Sequence, residues 1–344
     1  MDFRPTEEQA AAADLAARIF RDLSTHERLT AAGTGTDAEL WKALTTAQLV
    51  AAVTDVGLLG LVLLLEEQGR TTAQVPLAAT CVYGLLAVTA HGTREQRDRL
   101  LPALADGAAV ATGAFPDRGR IHADAAGRLS GALPSVPWLR DATHVLVPDA
   151  GRRLWLLRTD DPGVTTEPVE TTAPWSAGRL TLDGAAAEPL GNGPDAYEQV
   201  LDTARTAFAG LQVGVCAGSL ARAVSHTSTR EQFGRPLSTN QGVQLRAADA
   251  YMDTEAIRVT AYEAAWRADQ RLPAREHALT AAWWASEAGT RVVHAGQHLH
   301  GGTGADLDHP VHRHFLWGRQ LDAYLGSGPA LLAELGAVLT KEQR

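Results

Sequence analysis

The chain has 344 residues, 45% of them hydrophobic and 21% charged, with a formal net charge of -9. That length and balance fit a globular protein of two or three domains with a substantial core. An acidic chain without a basic stripe excludes nonspecific nucleic-acid binding, which needs a concentrated cationic surface. Cys81 and Cys216 stand far apart in apolar contexts, so neither a disulfide framework nor a thiolate metal site is expected, and a reduced, cytoplasmic compartment is. Met1 to Gln9 lacks the basic-then-apolar order of a secretory signal. The most apolar run, Val56 to Leu65, has about half the length of a membrane-spanning helix and reads as a buried core helix.

Thr6, followed by Glu7, Glu8 and Gln9, reads as an N-cap with an acidic first turn, and Ala10 to Leu23 continues with helix formers. Further helices are expected at Asp37 to Thr54, Leu58 to Gln68, Val75 to Ala90 and Arg94 to Ala105. From Ala108 the texture changes to short β-like runs split by Gly, Pro and Asp: Val110 to Phe115, Gly127 to Ala132, Thr143 to Val147, Leu154 to Arg158, Val164 to Pro168 and Gly178 to Leu182. That spacing suggests a small barrel or sandwich. After Pro194 the chain reads as helical again, through Ala196 to Arg230, Gln241 to Gln270, Ala274 to Leu299 and a last element near Gly328 to Leu339.

Between two of these long helices lies Arg230-Glu231-Gln232-Phe233-Gly234-Arg235-Pro236-Leu237, followed by Gln241. A guanidinium fork suits paired phosphate oxygens and an aromatic ring suits a purine face, so the run suits a dinucleotide. It equally fits a helix C-terminus, with Arg on the last carbonyls and Gly at the left-handed position after them. Gln241 is read either as a cofactor ligand or as the cap of the helix it opens. A second run, His300-Gly301-Gly302-Thr303-Gly304, lets backbone approach a ligand closely. His294, His298, His300, His309, His312 and His314 raise a metal reading. No H-E-x-x-H supports it, and without a G-x-S-x-G elbow the HGG run does not make a serine hydrolase; no metal site is expected.

The Arg230 to Leu237 run closely resembles the motif that opens the C-terminal helical domain of acyl-CoA dehydrogenases, and His300 to Gly304 resembles that family's Gly-rich loop. Leu65-Glu66-Glu67-Gln68-Gly69-Arg70, Gly92-Thr93-Arg94-Glu95-Gln96 and Ala142-Thr143-His144-Val145-Leu146-Val147 add resemblances in the first two thirds. The likeness covers essentially the whole chain. It implies an α+β fold with an N-terminal α-helical domain (1–107), a middle β-barrel (108–194) and a C-terminal four-helix bundle (195–344). It also implies FAD, with Arg230, Gln232, Phe233, Gln241, His298, Gly301 and Gly302 holding its ADP half, and an acyl thioester on CoA or a carrier protein as substrate. His298 stands where many members have Gln, with Gln297 beside it.

Two departures shape the functional expectation. The family places its catalytic Glu either directly after a Tyr near the C-terminus or one residue before an Arg about one helix upstream of the Arg-x-x-Phe motif. Here Leu325 follows Tyr324, and Ala204 precedes Arg205. The middle-domain flavin contacts are replaced as well, by Ala114-Phe115-Pro116 and by Ser135-Val136-Pro137, where Trp138 reads either as a substitute aromatic surface or as core. The catalytic residue is therefore unknown. The resemblance implies a subunit of a composite acyl-CoA dehydrogenase, homo- or hetero-oligomeric, with no nucleic-acid or membrane partner. The alternatives are another acyl-thioester reaction in the same fold (lyase, dehydratase or oxygenase) and a structural subunit without catalysis.

Overall fold

A computed structural model describes residues 3–116, 119–232 and 234–342. In chain order the helices α1 (Glu7–Leu23), α2 (His26–Ala32), α3 (Ala38–Thr46), α4 (Val53–Thr71), α5 (Leu77–Ala79), a π-helical stretch Thr80–Leu86, α6 (Ala87–His91) and α7 (Arg94–Ala105) come first. Strands β1 (Ala111–Gly113), β2 (Ile121–Ala123), β3 (Arg128–Val136), β4 (His144–Pro148), β5 (Leu154–Arg158), β6 (Val164–Pro168) and β7 (Gly178–Leu190) follow. The last part holds α8 (Pro194–Thr229), two-residue strands β8 (Glu231–Gln232) and β9 (Arg235–Pro236), α9 (Gln241–Asp269), α10 (Arg275–His300), α11 (Val311–Tyr324) and α12 (Gly328–Glu342). The expected α+β class and its helical, strand, helical order hold.

The starts of α1 and α7 follow from capping chemistry. Thr6 accepts from the Gln9 N–H at 3.2 Å while the Gln9 side chain accepts from the Thr6 N–H at 3.0 Å. Thr93 and Gln96 repeat the arrangement, and each pair satisfies two backbone donors that the helix would leave free. The expected helix from Asp37 to Thr54 is instead broken after Thr46, where Gln48 takes φ +60°. Gly57, at φ 73° and ψ -168°, kinks α4 near its start.

The chain divides into two compact units. One comprises Glu27–Leu61 and Gln74–Ala204 and contains the seven-stranded sheet, in the order β1-β4-β5-β7-β3-β2 with β6 also on β7. Only the β1–β4 pair is parallel. The long β7 serves both halves: Gly178 to Leu182 pairs with β3 and β6, and Ala187 to Leu190 pairs with β5. Inward-facing Leu129, Leu133, Val145, Val147, Trp155, Leu157, Leu180 and Leu182 from both halves meet in one core.

The other unit comprises Met1–His26, Val62–Ala73 and Arg205–Arg344. Its core is built from small residues on α8, α9 and α10, among them Ala209, Val213, Cys216, Ile257, Ala261, Ala264, Ala281, Ala288 and Val292. Alanine at these positions lets the helices approach closely while retaining the best helix propensity. Helix α8 is long and apolar enough to cross a membrane, yet most of its apolar window is buried inside the protein, as in a core helix. Beneath it, Glu66 is almost fully buried and accepts from Arg258 and from the Tyr262 hydroxyl at 2.8 Å. These donors satisfy acceptor oxygens that burial would otherwise leave without partners.

Candidate functional site

Helix α8 ends at Thr229, whose hydroxyl donates back to the Ser225 carbonyl at 3.0 Å. The Arg230 N–H then donates to the His226 carbonyl at 2.8 Å, and the chain turns into the β8–β9 hairpin. Gly234 sits at its turn with φ +76°, a conformation that costs a side-chain-bearing residue. The Leu237 N–H closes the hairpin onto the Arg230 carbonyl at 2.9 Å. The run is therefore a helix-to-hairpin junction rather than a simple C-cap. The Arg230 guanidinium is exposed and has no ion-pair partner among the described residues.

The residues expected to hold a cofactor divide into three groups. Arg230, His298, Gly301 and Gly302 line one groove of about 520 Å³, with Leu237 and Val243 as its apolar side. That is pocket-sized for a small molecule. Gln232 lies exposed on β8, and Gln241 is the exposed first residue of α9; neither lines the groove. Gln241 is not the cap of its helix, since Asn240 Oδ1 accepts from the Gly242 N–H at 2.9 Å. Phe233 lies outside the described residues.

The Gly-rich loop is a 3-10 turn, Gly301–Ala305, that opens at φ +61°. A Cβ added at Gly301 or Gly302 would meet nothing within 4 Å, so backbone there is bare toward the groove. Gln297 turns away from it and donates to the Gly304 carbonyl at 3.2 Å, holding the loop from beneath. His298 is thus the side chain presented to the groove. A free guanidinium beside uncovered glycine backbone fits the diphosphate of a dinucleotide.

One groove residue, His226, had no sequence motif of its own. His226 stands one helical turn before Arg230, and its ring stacks on that of His300 at 4.7 Å between centroids and 27° between planes. His309 packs against the other side of His300 at 5.0 Å. Burial, then the charges of His300 and Arg230, hold the His226 pKa below the ordinary imidazole range. Burial, then His300, Arg222 and His226, do the same to His309, with Asp306 opposing. The only sequence clue was the His226–Arg230 spacing of four, which places both side chains on one helix face. His314 is different: fully buried, with Nε2 donating to the Arg70 carbonyl at 3.0 Å and its pKa lowered by burial to about 4, it is a packing residue. Among the described residues no three His, Cys, Asp or Glu side chains converge as a metal would need.

The two expected base positions are apolar and buried: Ala204 is 0% exposed and Leu325 is 6% exposed. Leu325, Tyr324, Phe208, Gln212 and Leu331 help enclose a cavity of about 20 Å³, room for about one water molecule. Arg205, which also lines it, is bound in bidentate fashion by Glu334 at 2.9 and 2.6 Å, and Arg275 shares that carboxylate at 3.1 Å. Burial pushes the Glu334 pKa up, but Arg205 and then Arg275 outweigh it and hold the carboxyl below its usual range. Such a carboxylate is a poor proton acceptor. Asp322 is likewise engaged, by the Ser286 hydroxyl at 2.7 Å and Arg319 at 3.0 Å.

In the sheet-containing unit, the two runs standing where flavin-ring contacts are expected are filled by packing. Phe115 is buried between Tyr83 and Tyr197, with ring centroids 5.0 and 5.5 Å away. Trp138 is 3% exposed and stacks on Trp175, so of its two readings core is the one observed. On α9, Leu245, Met252 and Val259 recur every seven residues on one helix face and are 58%, 61% and 49% exposed. The opposite face of α9 carries its buried Ala250, Thr254, Ile257 and Ala261.

Comparison with known proteins follows this geometry. The profile described as "Acyl-CoA dehydrogenase, N-terminal domain" matches residues 6–108, and that described as "Acyl-CoA dehydrogenase, C-terminal domain" matches residues 191–339. Acyl-CoA dehydrogenase FadE27 of Mycobacterium tuberculosis is 35% identical over 338 residues, 89% of each chain. Among solved structures, the steroid ACAD Tcur3481-Tcur3483 is 42% identical with a TM-score of 0.93, covering 98% of this chain and 99% of that one. The ChsE4-ChsE5 complex from Mycobacterium tuberculosis is 31% identical with a TM-score of 0.93, covering 99% of both chains.

Proposed function

The chain belongs to the acyl-CoA dehydrogenase family, and on that premise we propose that it is the cofactor-completing subunit of a two-component acyl-CoA dehydrogenase. Its segments 1–107, 108–194 and 195–344 are then the family's three domains, a division supported by profile matches that end at 108 and resume at 191. The observation that carries the proposal is a contrast within the chain. The groove with an unpaired Arg230 and bare Gly301–Gly302 backbone is retained, while both base positions are apolar and the cavity at Leu325 has shrunk to about 20 Å³.

FAD bound across the subunit interface supplies the hydride acceptor for oxidising an acyl thioester at its α,β bond. In this chain Arg230 would hold the diphosphate, the uncovered Gly301–Gly302 backbone would admit it closely, and His298, Leu237 and Val243 would line the rest of that groove. Gln232, Phe233 and Gln241 remain cofactor ligands on the family resemblance alone. This chain removes no α-proton: Leu325 and Ala204 carry no acid, and Glu334 is neutralised by two guanidiniums. The base comes from a homologous partner subunit, docked in part on the exposed Leu245, Met252 and Val259 face. Relatives with 42% and 31% identity being described as Tcur3481-Tcur3483 and as a ChsE4-ChsE5 complex supports the two-component reading, and the first name supports a steroid-bearing acyl thioester as substrate.

The test is Arg230→Ala in the complex with the partner subunit, with flavin content read from the visible spectrum after gel filtration. Losing one charge-assisted contact should cost roughly 1.5–3 kcal/mol of FAD affinity, and dehydrogenation should require both chains. Full flavin retention by the variant, or robust turnover by this chain alone, would overturn the proposal.

A further inference from the structure

Resting on the reading that the groove takes the diphosphate of FAD, we infer that the stacked imidazoles of His226 and His300, with His309 behind them, form part of that site, and that diphosphate binding there is coupled to proton uptake at His226. The geometry comes first. His226 and His300 line the groove together with Arg230, and His309 contacts His300 from the adjoining loop, so three imidazole rings form a column in which the first pair is stacked at 27° and the second is tilted at 57°. Hydrogen bonds fix part of its protonation. The His300 Nδ1–H donates to the Gly296 carbonyl at 2.7 Å, which fixes the ring that His226 stacks on. His309 Nδ1 accepts from the Val311 N–H at 3.3 Å, so the neutral ring carries its proton on Nε2.

The charges around the column decide its state. From α8 it faces Arg222 and Arg230, and from the loop before α11 it faces Asp306 as the opposing acid. His298 on α10 and His312 on α11 are the remaining titratable groups nearby, and the hairpin adds Glu231 beside Arg230. Two guanidiniums against one acid keep adjacent stacked rings from being charged together, consistent with the lowered pKa of His226 and His309. A diphosphate diester reverses that balance. It brings two negative charges that titrate far below neutrality, offsets Arg230, and favours an imidazolium at His226, the ring beside that guanidinium.

Linkage fixes the sign. A ring whose pKa is higher in the complex than in the free protein takes up a proton on binding, so affinity rises as pH falls through the bound-state pKa and levels off below the free-state pKa. Since the free-state values lie below the ordinary imidazole value of about 6.5, the window includes that value and extends below it. Uptake of about half to one proton corresponds to an affinity gain of roughly three- to tenfold per pH unit lowered.

The experiment is isothermal titration of FAD into flavin-stripped protein, with the partner subunit present, in phosphate-free buffers of differing ionisation enthalpy across that window. ADP-ribose, with the same diphosphate diester and no flavin, should show the same proton uptake, and adenosine none. His226→Gln should flatten the pH dependence, and His226→Phe, which keeps a stacked ring without a titrating nitrogen, should flatten it while preserving the circular dichroism spectrum. FAD binding with no buffer-dependent heat overturns the coupling and leaves the cofactor reading standing. A slope that survives both His226 variants, or equal uptake with adenosine, also overturns it. Failure of FAD to bind at any pH overturns the cofactor reading itself.

Discussion

Replacing Glu334 by Gln tests whether the closed end of the helical unit is held by charge rather than by packing. Glu334 on α12 accepts from Arg205 of α8 at 2.9 and 2.6 Å and from Arg275 of α10 at 3.1 Å, with the Arg205 side chain only 4% exposed. The apolar anchorage of α12 on α10 is modest: buried Leu331 meets Leu279 and Ala282, with Leu335 and Val338 partly buried alongside. Each fully buried leucine contributes about 1.5–3 kcal/mol, so the ion pair is of the same order as the packing. Removing one partner of a buried pair costs about 3–5 kcal/mol. Glu334 is one-third exposed and Gln keeps one acceptor oxygen, which places the expectation at the lower end, about 3 kcal/mol. Hydrogen exchange should read it as roughly a hundredfold loss of protection in α12 amides, since about 1.4 kcal/mol is a factor of ten. The pH dependence has a definite sign. The folded-state pKa of Glu334 is depressed, so its stabilisation is present above the ordinary glutamate value of about 4.3 and is lost as pH falls through the lower folded value. Wild-type α12 should therefore loosen in acid while the Gln variant stays flat. Protection unchanged within a factor of two would refute the reasoning.

Leu325→Glu, the substitution that restores a carboxylate where many relatives carry their base, should destabilise the chain by more than 2 kcal/mol and confer no dehydrogenase activity. The side chain is buried beside a cavity of only about 20 Å³, where a carboxylate loses its hydration without gaining an α-carbon to attack; thermal denaturation with an acyl-CoA turnover assay checks both outcomes. Met252→Asp should weaken subunit association at least tenfold in sedimentation while leaving the thermal midpoint within a few degrees, because Met252 is 61% exposed and the opposite face of α9 carries the core.

The parts of the fold legible in the sequence were those whose signals are local. Thr6, followed by Glu7, Glu8 and Gln9, announced the first helix start through capping chemistry alone. Helix α11 escaped because its histidines drew a metal reading. Its buried Val311, His314, Trp317, Gly318 and Tyr324 recur at helical spacing, and Pro310 supplies the start. The break after Thr46 escaped as well, since Gln48 takes the left-handed position, φ +60°, that ends a helix, with the Leu49 N–H closing onto the Leu44 carbonyl at 3.0 Å, where a glycine would have been the usual sequence signal. The far half of β7, Ala185 to Leu190, reads as helix-forming or turn-like and becomes strand because β5 pairs with it. At the site, Arg230 and Gly301 could be read from side-chain chemistry, whereas His226 enters only through its stack on His300, a contact between residues 74 positions apart.

The open groove and the closed cavity lie at opposite ends of one element. From Arg205 to Arg230 the chain follows α8 for almost its whole course, and a rise of 1.5 Å per residue separates the two by roughly 37 Å. At one end a guanidinium faces solvent without a partner; at the other a guanidinium is buried and neutralised by Glu334. At the end that would act on substrate the space is filled, with Leu325 packed, Arg205 paired and Tyr324 edge-on to Phe208 at 4.9 Å. The end that would meet the cofactor has an exposed cation, bare glycine backbone and an imidazole column that a purely structural role does not require. A filled site at one end and an open, cation-bearing groove at the other is the arrangement a division of labour between two subunits needs, whereas a scaffold with no cofactor has no use for the open groove.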